Sequence, residues 1–207
     1  MPAEFLRIHP DTPEERKIHH VVDVLRNGGV IIYPTDTIYG LGCDIHNTRA
    51  IERIARIKGI KPQKNDFSFI CHDLSHIADY ARVGNQAFKT MKRLLPGPYT
   101  FILDVSHRVP KILHTSKRTV GIRIPDHAIP REIVKELGNP IITTTIKDIE
   151  DDFDPYITDP EIIFERFQHQ VDLVIDGGMG GNVPSTIINA TTDDFEIVRQ
   201  GLGGFEE

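Results

Sequence analysis

Val30-Ile31-Ile32-Tyr33-Pro34-Thr35-Asp36-Thr37-Ile38-Tyr39-Gly40-Leu41-Gly42 is an apolar, β-branched run that stops at a proline, crosses a polar triplet and meets two closely spaced glycines. Pro34 has no N–H to give a β-ladder, so the spacing predicts a strand that ends near Tyr33. Thr35-Asp36-Thr37 then falls at the carboxyl end of a strand, where ligands dock in open α/β sheets. Gly40 and Gly42 allow a tight turn or a close backbone approach to a ligand.

Working outward, Thr12-Pro13-Glu14-Glu15 reads as a helix start with Thr12 as cap, and the helix runs to Arg26 before Asn27-Gly28-Gly29. Asn47 caps a second helix through Ile57, in which Ile51, Ile54 and Ile57 recur at helical spacing. Strands are predicted at Val30–Tyr33, Phe67–Cys71, Tyr99–Val105, Thr119–Ile124, Ile141–Thr145, Val171–Ile175, Ser185–Asn189 and Phe195–Arg199. Further helices are predicted at Asp73–Tyr80, Gln86–Leu95, Ala128–Leu137 and from Asp159-Pro160-Glu161 to about Phe167. Alternating βα units mixed with consecutive strands point to a mixed sheet in an α/β fold. No repeat or long linker divides residues 1–207, which read as a single domain. A Rossmann fold is disfavoured because no G-x-G-x-x-G opens a helix after the first strand, and there is no Walker A pattern.

The chain has 207 residues and a formal net charge of −6, which argues against a generally basic nucleic-acid binder. Local cation groups exist at Lys89/Lys92/Arg93 and at Arg108/Lys111/Lys117/Arg118. No apolar run approaches the ~20 residues that span a bilayer, and no signal peptide is visible, so the expected location is the cytoplasm with no membrane partner. Cys43 and Cys71 are too few for a disulfide framework. Cys71, His72 and His76 invite a metal reading, with the two imidazoles on one face of the predicted helix. A further carboxylate ligand is not obvious, and no protein-caged metal is expected. No G-x-S-x-G supports a hydrolase.

Two local patterns carry chemistry by themselves. Lys58-Gly59-Ile60-Lys61-Pro62 places two ammonium groups around a glycine just after a helix, a pattern suited to phosphates or to the helix's negative end. In Val120-Gly121-Ile122-Arg123-Ile124 the alternation puts Arg123 with Gly121 on one face, opposite three aliphatics. A guanidinium there can clamp a carboxylate bidentately.

Five ordered blocks follow the opening stretch: Leu95-Pro96-Gly97-Pro98-Tyr99-Thr100-Phe101-Ile102-Leu103, Val120 to Pro125, Asp176-Gly177-Gly178, Pro184-Ser185-Thr186-Ile187-Ile188-Asn189 and Val198-Arg199-Gln200-Gly201. As a set they resemble the YrdC/YciO family, and the central segments most resemble its YciO branch. The resemblance implies a YrdC/RibB-like α/β fold, a twisted and mostly seven-stranded mixed sheet wrapped by helices around a basic-lined cavity. It implies synthesis of threonylcarbamoyl-adenylate from ATP with Mg²⁺, threonine and bicarbonate, feeding a modification of tRNA adenosine. Family members have also been viewed as double-stranded RNA or tRNA binders, which stands as the alternative.

Residue by residue, the likeness assigns Thr35, Arg123 and Ser185 to the amino-acid substrate. It assigns Lys58 and Lys61 to the nucleotide phosphates and to catalysis by charge, and Asn65, Thr119, Thr143, Thr145 and Arg199 to the nucleotide. Asp36 stands where another acid is usual and can hold Mg²⁺ or orient a neighbouring cation. The chain departs from the family pattern twice. Lys61 replaces an arginine, a point charge in place of a fork. Lys147 replaces the asparagine of a Ser-x-Asn element, a donor-only cation in place of an amide.

Overall fold

The computed structural model describes residues 2–59, 67–106, 109–113, 118–146 and 156–205. Its centre is one mixed sheet of eleven strands: β1 (Glu4–Arg7), β2 (Ile31–Tyr33), β3 (Gly40–Asp44), β4 (Ser68–Ile70), β5 (Ala81–Arg82), β6 (Tyr99–Val105), β7 (Thr119–Arg123), β8 (Ile141–Thr145), β9 (Leu173–Asp176), β10 (Thr186–Asn189) and β11 (Glu196–Arg199). The order across the sheet is β1-β9-β2-β3-β8-β4-β7-β6-β10-β11, with β5 paired to β6 outside that path. The sheet is therefore wider than the seven strands the resemblance implied. Five α-helices accompany it among the described residues: α1 (Glu15–Arg26), α2 (Thr48–Ile57), α3 (Asn85–Leu94), α4 (Ala128–Leu137) and α5 (Pro160–Phe167).

Three strands escape the sequence patterns, the two-residue β5 among them. Glu4-Phe5-Leu6-Arg7 forms β1, pairing in parallel with β9, but it lies at the sheet edge without a buried alternating face. β3 looks like a glycine loop in sequence. It is a strand whose glycines make room for the Tyr33 ring: a Cβ on Gly40 would sit 3.0 Å from that ring's Cζ, and one on Gly42 would sit 2.4 Å from the Ile142 carbonyl oxygen.

Two expected local features differ. Thr12 does not cap α1. The cap position is Glu14, without a side-chain cap bond, because the Glu14 carboxylate is taken by Lys17 and the His9 backbone N–H. The Thr12 hydroxyl bonds His9 Nδ1 at 3.0 Å. The predicted helix Asp73–Tyr80 shrinks to a 3-10 turn at Ile77–Asp79, since the Asp73 side chain folds back onto the Ser75 N–H at 2.8 Å. His72 and His76 therefore do not share a helix face. Asn47 caps α2 as its sequence suggests, accepting from the Ala50 N–H at 3.0 Å. Asn47→Ala should lower stability by about 1 kcal/mol, read as a shift of the urea midpoint at unchanged slope.

The two faces of the sheet differ. On one, α2, α3 and α5 cover an aliphatic and aromatic core that includes Phe69, Phe101, Val120, Ile122 and Ile142. On the other, α1 and α4 cover Ile31, Tyr33, Ile70, Ile141, Leu173 and Ile175. Residues directly opposite each other in a ladder share a face. The register Thr143–Ser68–Gly121–Ile102 and the pair Thr100–Ile187 thus continue that second face beyond the two helices. There it changes from aliphatic to small and polar, and Ser68, Thr119, Gly121 and Thr145 are partly exposed. A Cβ on Gly121 would lie 2.5 Å from Ser68 Oγ, so glycine keeps this stretch flat. This half-covered polar floor positions the site.

Candidate functional site

Arg123, at the end of β7, is the centre of the densest buried polar network. Its Nη2 donates to Thr37 Oγ1 at 2.6 Å, to Thr35 Oγ1 at 3.2 Å and to Asp36 Oδ1. The side chains of Arg123 and Asp36 are 8% and 10% exposed, so the pair is desolvated. The second Asp36 oxygen accepts the Asp126 N–H at 3.1 Å, just before α4. Arg123 Nε is buried without a hydrogen-bond partner, a cost of about 1–3 kcal/mol that folded proteins seldom carry.

Thr35 shapes this network from within. Its hydroxyl proton goes to the Ile38 carbonyl at 2.7 Å, and its oxygen accepts from Arg123 and from the Thr37 N–H at 3.1 Å. Within the protein that hydroxyl thus uses its proton and both lone pairs. A glycine-rich loop braces the triplet from outside. The Gly181 N–H donates to the Thr37 carbonyl at 2.7 Å, and Tyr39 Oη donates to the Gly178 carbonyl at 2.7 Å. A Cβ on Gly181 would stand 2.3 Å from the Thr37 oxygen, which excludes other residues there.

Farther along the same face, Arg199 of β11 grips Ser185. Its Nε and Nη2 donate to the Ser185 carbonyl at 3.2 and 2.7 Å, and Ser185 Oγ lies 2.9 Å from Thr100 Oγ1. Arg199 is partly buried and has no carboxylate partner among the described residues. Burial pushes its guanidinium below its ordinary value; Tyr156 acts the other way, and the like charge of Arg123 adds to the lowering. The two arginines thus sense each other electrostatically across the polar floor.

Thr143 and Thr145 project from β8 onto this face. Tyr33 Oη donates to Thr143 Oγ1 at 2.6 Å, which leaves the threonine proton free to donate outward. Tyr33→Phe should cost about 1 kcal/mol of stability, measured by urea unfolding, and should weaken any ligand that uses Thr143. Lys58, the residue after α2, donates from Nζ to the Thr145 carbonyl at 2.7 Å, drawing the helix end to the end of β8. Thr119 begins β7 on the side of Gly121 and Arg123. Lys61, Asn65 and Lys147 lie outside the described residues.

The structure therefore brings Thr35 and Arg123 into contact, joins Ser185 to Arg199, and lines Thr119, Thr143 and Thr145 along one face. Sequence reading missed Tyr33, Thr37, Ser68 and Thr100 as parts of the site. Tyr33, Thr37 and Thr100 lay inside quoted motifs, but only the register shows where they face.

Burial pushes the Cys71 thiol up to about 12 and that of Cys43 higher still, so neither is a ready thiolate. Among the described residues, no group of three or more His, Cys, Asp or Glu could hold a metal ion, and no helix is long and apolar enough to cross a membrane. Lys89, Lys92 and Arg93 are exposed on α3.

A family model named Sua5/YciO/YrdC, described as telomere recombination, matches residues 23–201. This chain belongs to that family. The uncharacterized protein YciO of Escherichia coli K12 is 42% identical over 202 residues, covering 97% of each chain. The crystal structure of E. coli YciO superposes with a TM-score of 0.90 at 41% identity, covering 98% of this chain and 97% of that one. The crystal structure of P. abyssi Sua5 complexed with L-threonine follows with a TM-score of 0.86 and 28% identity, covering 96% of this chain and 58% of the Sua5 chain. The family assignment and the single mixed α/β sheet thus agree with the sequence reading.

Proposed function

We propose that this chain is a nucleotidyltransferase of the threonylcarbamoyl-AMP synthase type, using ATP with Mg²⁺, L-threonine and bicarbonate. The observation that carries the reading is the polar sheet face on which the Arg123 network sits together with Arg199, which has no carboxylate partner among the described residues, in a chain similar to a Sua5 bound to L-threonine. The product would supply a tRNA adenosine modification, with tRNA as a pathway partner.

The threonine amine forms an N–C bond to bicarbonate, a C–O bond breaks and water leaves, giving an N-carboxylated amino acid. One of its carboxylate oxygens attacks the α-phosphorus of ATP, the bond from that phosphorus to the bridging oxygen breaks, and pyrophosphate leaves with the electron pair. The protein need supply no covalent step. Its tasks are to hold the reactants in line and to offset charge. Lys58, Arg199 and Lys61 take the phosphates. Thr143, Thr145, Thr119 and Asn65 orient the nucleotide. Ser185 and the joined network of Arg123, Thr35 and Thr37 place the amino acid. Mg²⁺ arrives with ATP as part of the substrate.

Incubation with ATP, Mg²⁺, threonine and bicarbonate, followed by mass spectrometry, should show threonylcarbamoyl-adenylate and pyrophosphate in a one-to-one ratio. Formation of neither product at high enzyme concentration would overturn the reading.

A further inference from the structure

We infer that Ser68 is a catalytic hydroxyl: it stands in the middle row of the polar floor, beside the bare backbone of Gly121, and donates to the phosphoryl group where the two substrates of the proposed reaction meet. This deepens the reading above and rests on it. The register sorts the floor into rows. On β7 the residues that face it are Thr119, Gly121 and Arg123, about 7 Å apart in succession. Arg123 marks the amino-acid end, and level with it on β6 is Thr100, whose Oγ1 lies 2.9 Å from Ser185 Oγ. Thr119, with Thr145 of β8, marks the nucleotide end. Gly121 lies between, paired across the ladders with Ser68 of β4 and Ile102 of β6, and Ser68 is paired in turn with Thr143. The attacking carboxylate oxygen and the α-phosphorus therefore come together over Gly121.

The middle row suits that approach. A Cβ on Gly121 would stand 2.5 Å from Ser68 Oγ and 3.1 Å from the Thr100 methyl, so Ser68 leans into the space of the absent side chain. Ser68 is partly exposed, and its hydroxyl has no hydrogen-bond partner among the described residues. The hydroxyls around it are committed: Thr100 and Ser185 to each other, Thr35 to the Ile38 carbonyl, and Thr143 by one lone pair to Tyr33. Ser68 keeps its proton and both lone pairs, and a serine hydroxyl rotates to suit a ligand. During transfer, negative charge spreads over the equatorial oxygens of the phosphoryl group. A donor fixed at this place stabilises that charge more than it stabilises the bound substrates. The hydroxyl stays protonated throughout, and no covalent bond forms to it.

The test measures pyrophosphate release by the full chain with ATP, Mg²⁺, threonine and bicarbonate. Ser68→Ala should lower kcat about ten- to hundredfold. KM for ATP and for threonine should stay within about threefold, the pattern of a contact made in the transition state. Calorimetry with ATP and Mg²⁺ should give the wild-type affinity, and the thermal midpoint should not move. Ser68→Cys, similar in size but a weak donor, should give an intermediate kcat. A wild-type kcat in Ser68→Ala overturns the inference. So does a loss carried by KM or by ATP affinity alone, which is a binding role, or one that follows a lowered thermal midpoint, which is a structural role. If Ser68→Ala fails to fold, Ser68→Cys decides, and a wild-type kcat there overturns the inference. A wild type that releases no pyrophosphate overturns the proposed reaction and this role with it, whereas an active wild type matched by Ser68→Ala overturns the role alone.

Discussion

Replacing Arg123 by methionine should lower the unfolding free energy by about 3 kcal/mol. Arg123 and Asp36 form a buried pair, and removal of one member strands a desolvated carboxylate whose remaining described partner is the Asp126 N–H. Breaking such a pair costs about 3–5 kcal/mol. The low end applies because the unpaired Nε is a burden the native fold already bears, and the variant sheds it. Thr35 and Thr37 also lose a donor, which loosens the loop after β2. Urea unfolding of Arg123→Met and of Arg123→Met with Asp36→Leu separates the terms. The double variant, with no charge left over, should recover a large part of the loss. A loss below about 1 kcal/mol in the single variant would show that the pair is not buried in solution.

The second large effect is expected in binding. Lys58→Ala should weaken ATP about ten- to hundredfold, the equivalent of roughly 1.5–3 kcal/mol for a hydrogen bond to a charged group. The fold should stay intact, because Lys58 follows the last turn of α2 and the helix's buried residues, Ala50, Ile51, Ile54 and Ala55, are untouched. Part of the loss comes through β8: without Nζ on the Thr145 carbonyl, the strand end that carries Thr143 and Thr145 is less well held. Calorimetry with ATP and Mg²⁺ measures the affinity, and thermal melting checks the fold. Unchanged affinity would remove Lys58 from the phosphate site.

The sequence by itself determined the elements with strong local signals. β2 stops where Pro34 ends the ladder, α2 starts at its Asn47 cap, and α4 closes at Gly138 in the left-handed conformation. Apolar alternation in β7 put Arg123 opposite Val120 and Ile122, and the structure keeps that division, with both aliphatics in the core on the other face. The ordered motifs pointed to the family that the match over residues 23–201 then showed.

What lay outside its reach were features whose cause is a distant part of the chain. Gly40 and Gly42 look like a turn until the Tyr33 ring is seen to need their space. Thr35 looks like a ligand-binding hydroxyl, yet its lone pairs and proton are used by Arg123, Thr37 and Ile38. Arg123 and Arg199 both read as anion-binding arginines, and local sequence cannot tell them apart. Only the tertiary structure gives one a buried carboxylate and leaves the other with a carbonyl. The physical reason is range. Strand and helix signals depend on neighbours a few residues away, whereas the charge state of a site depends on partners brought together by a sheet ordered far from sequence order.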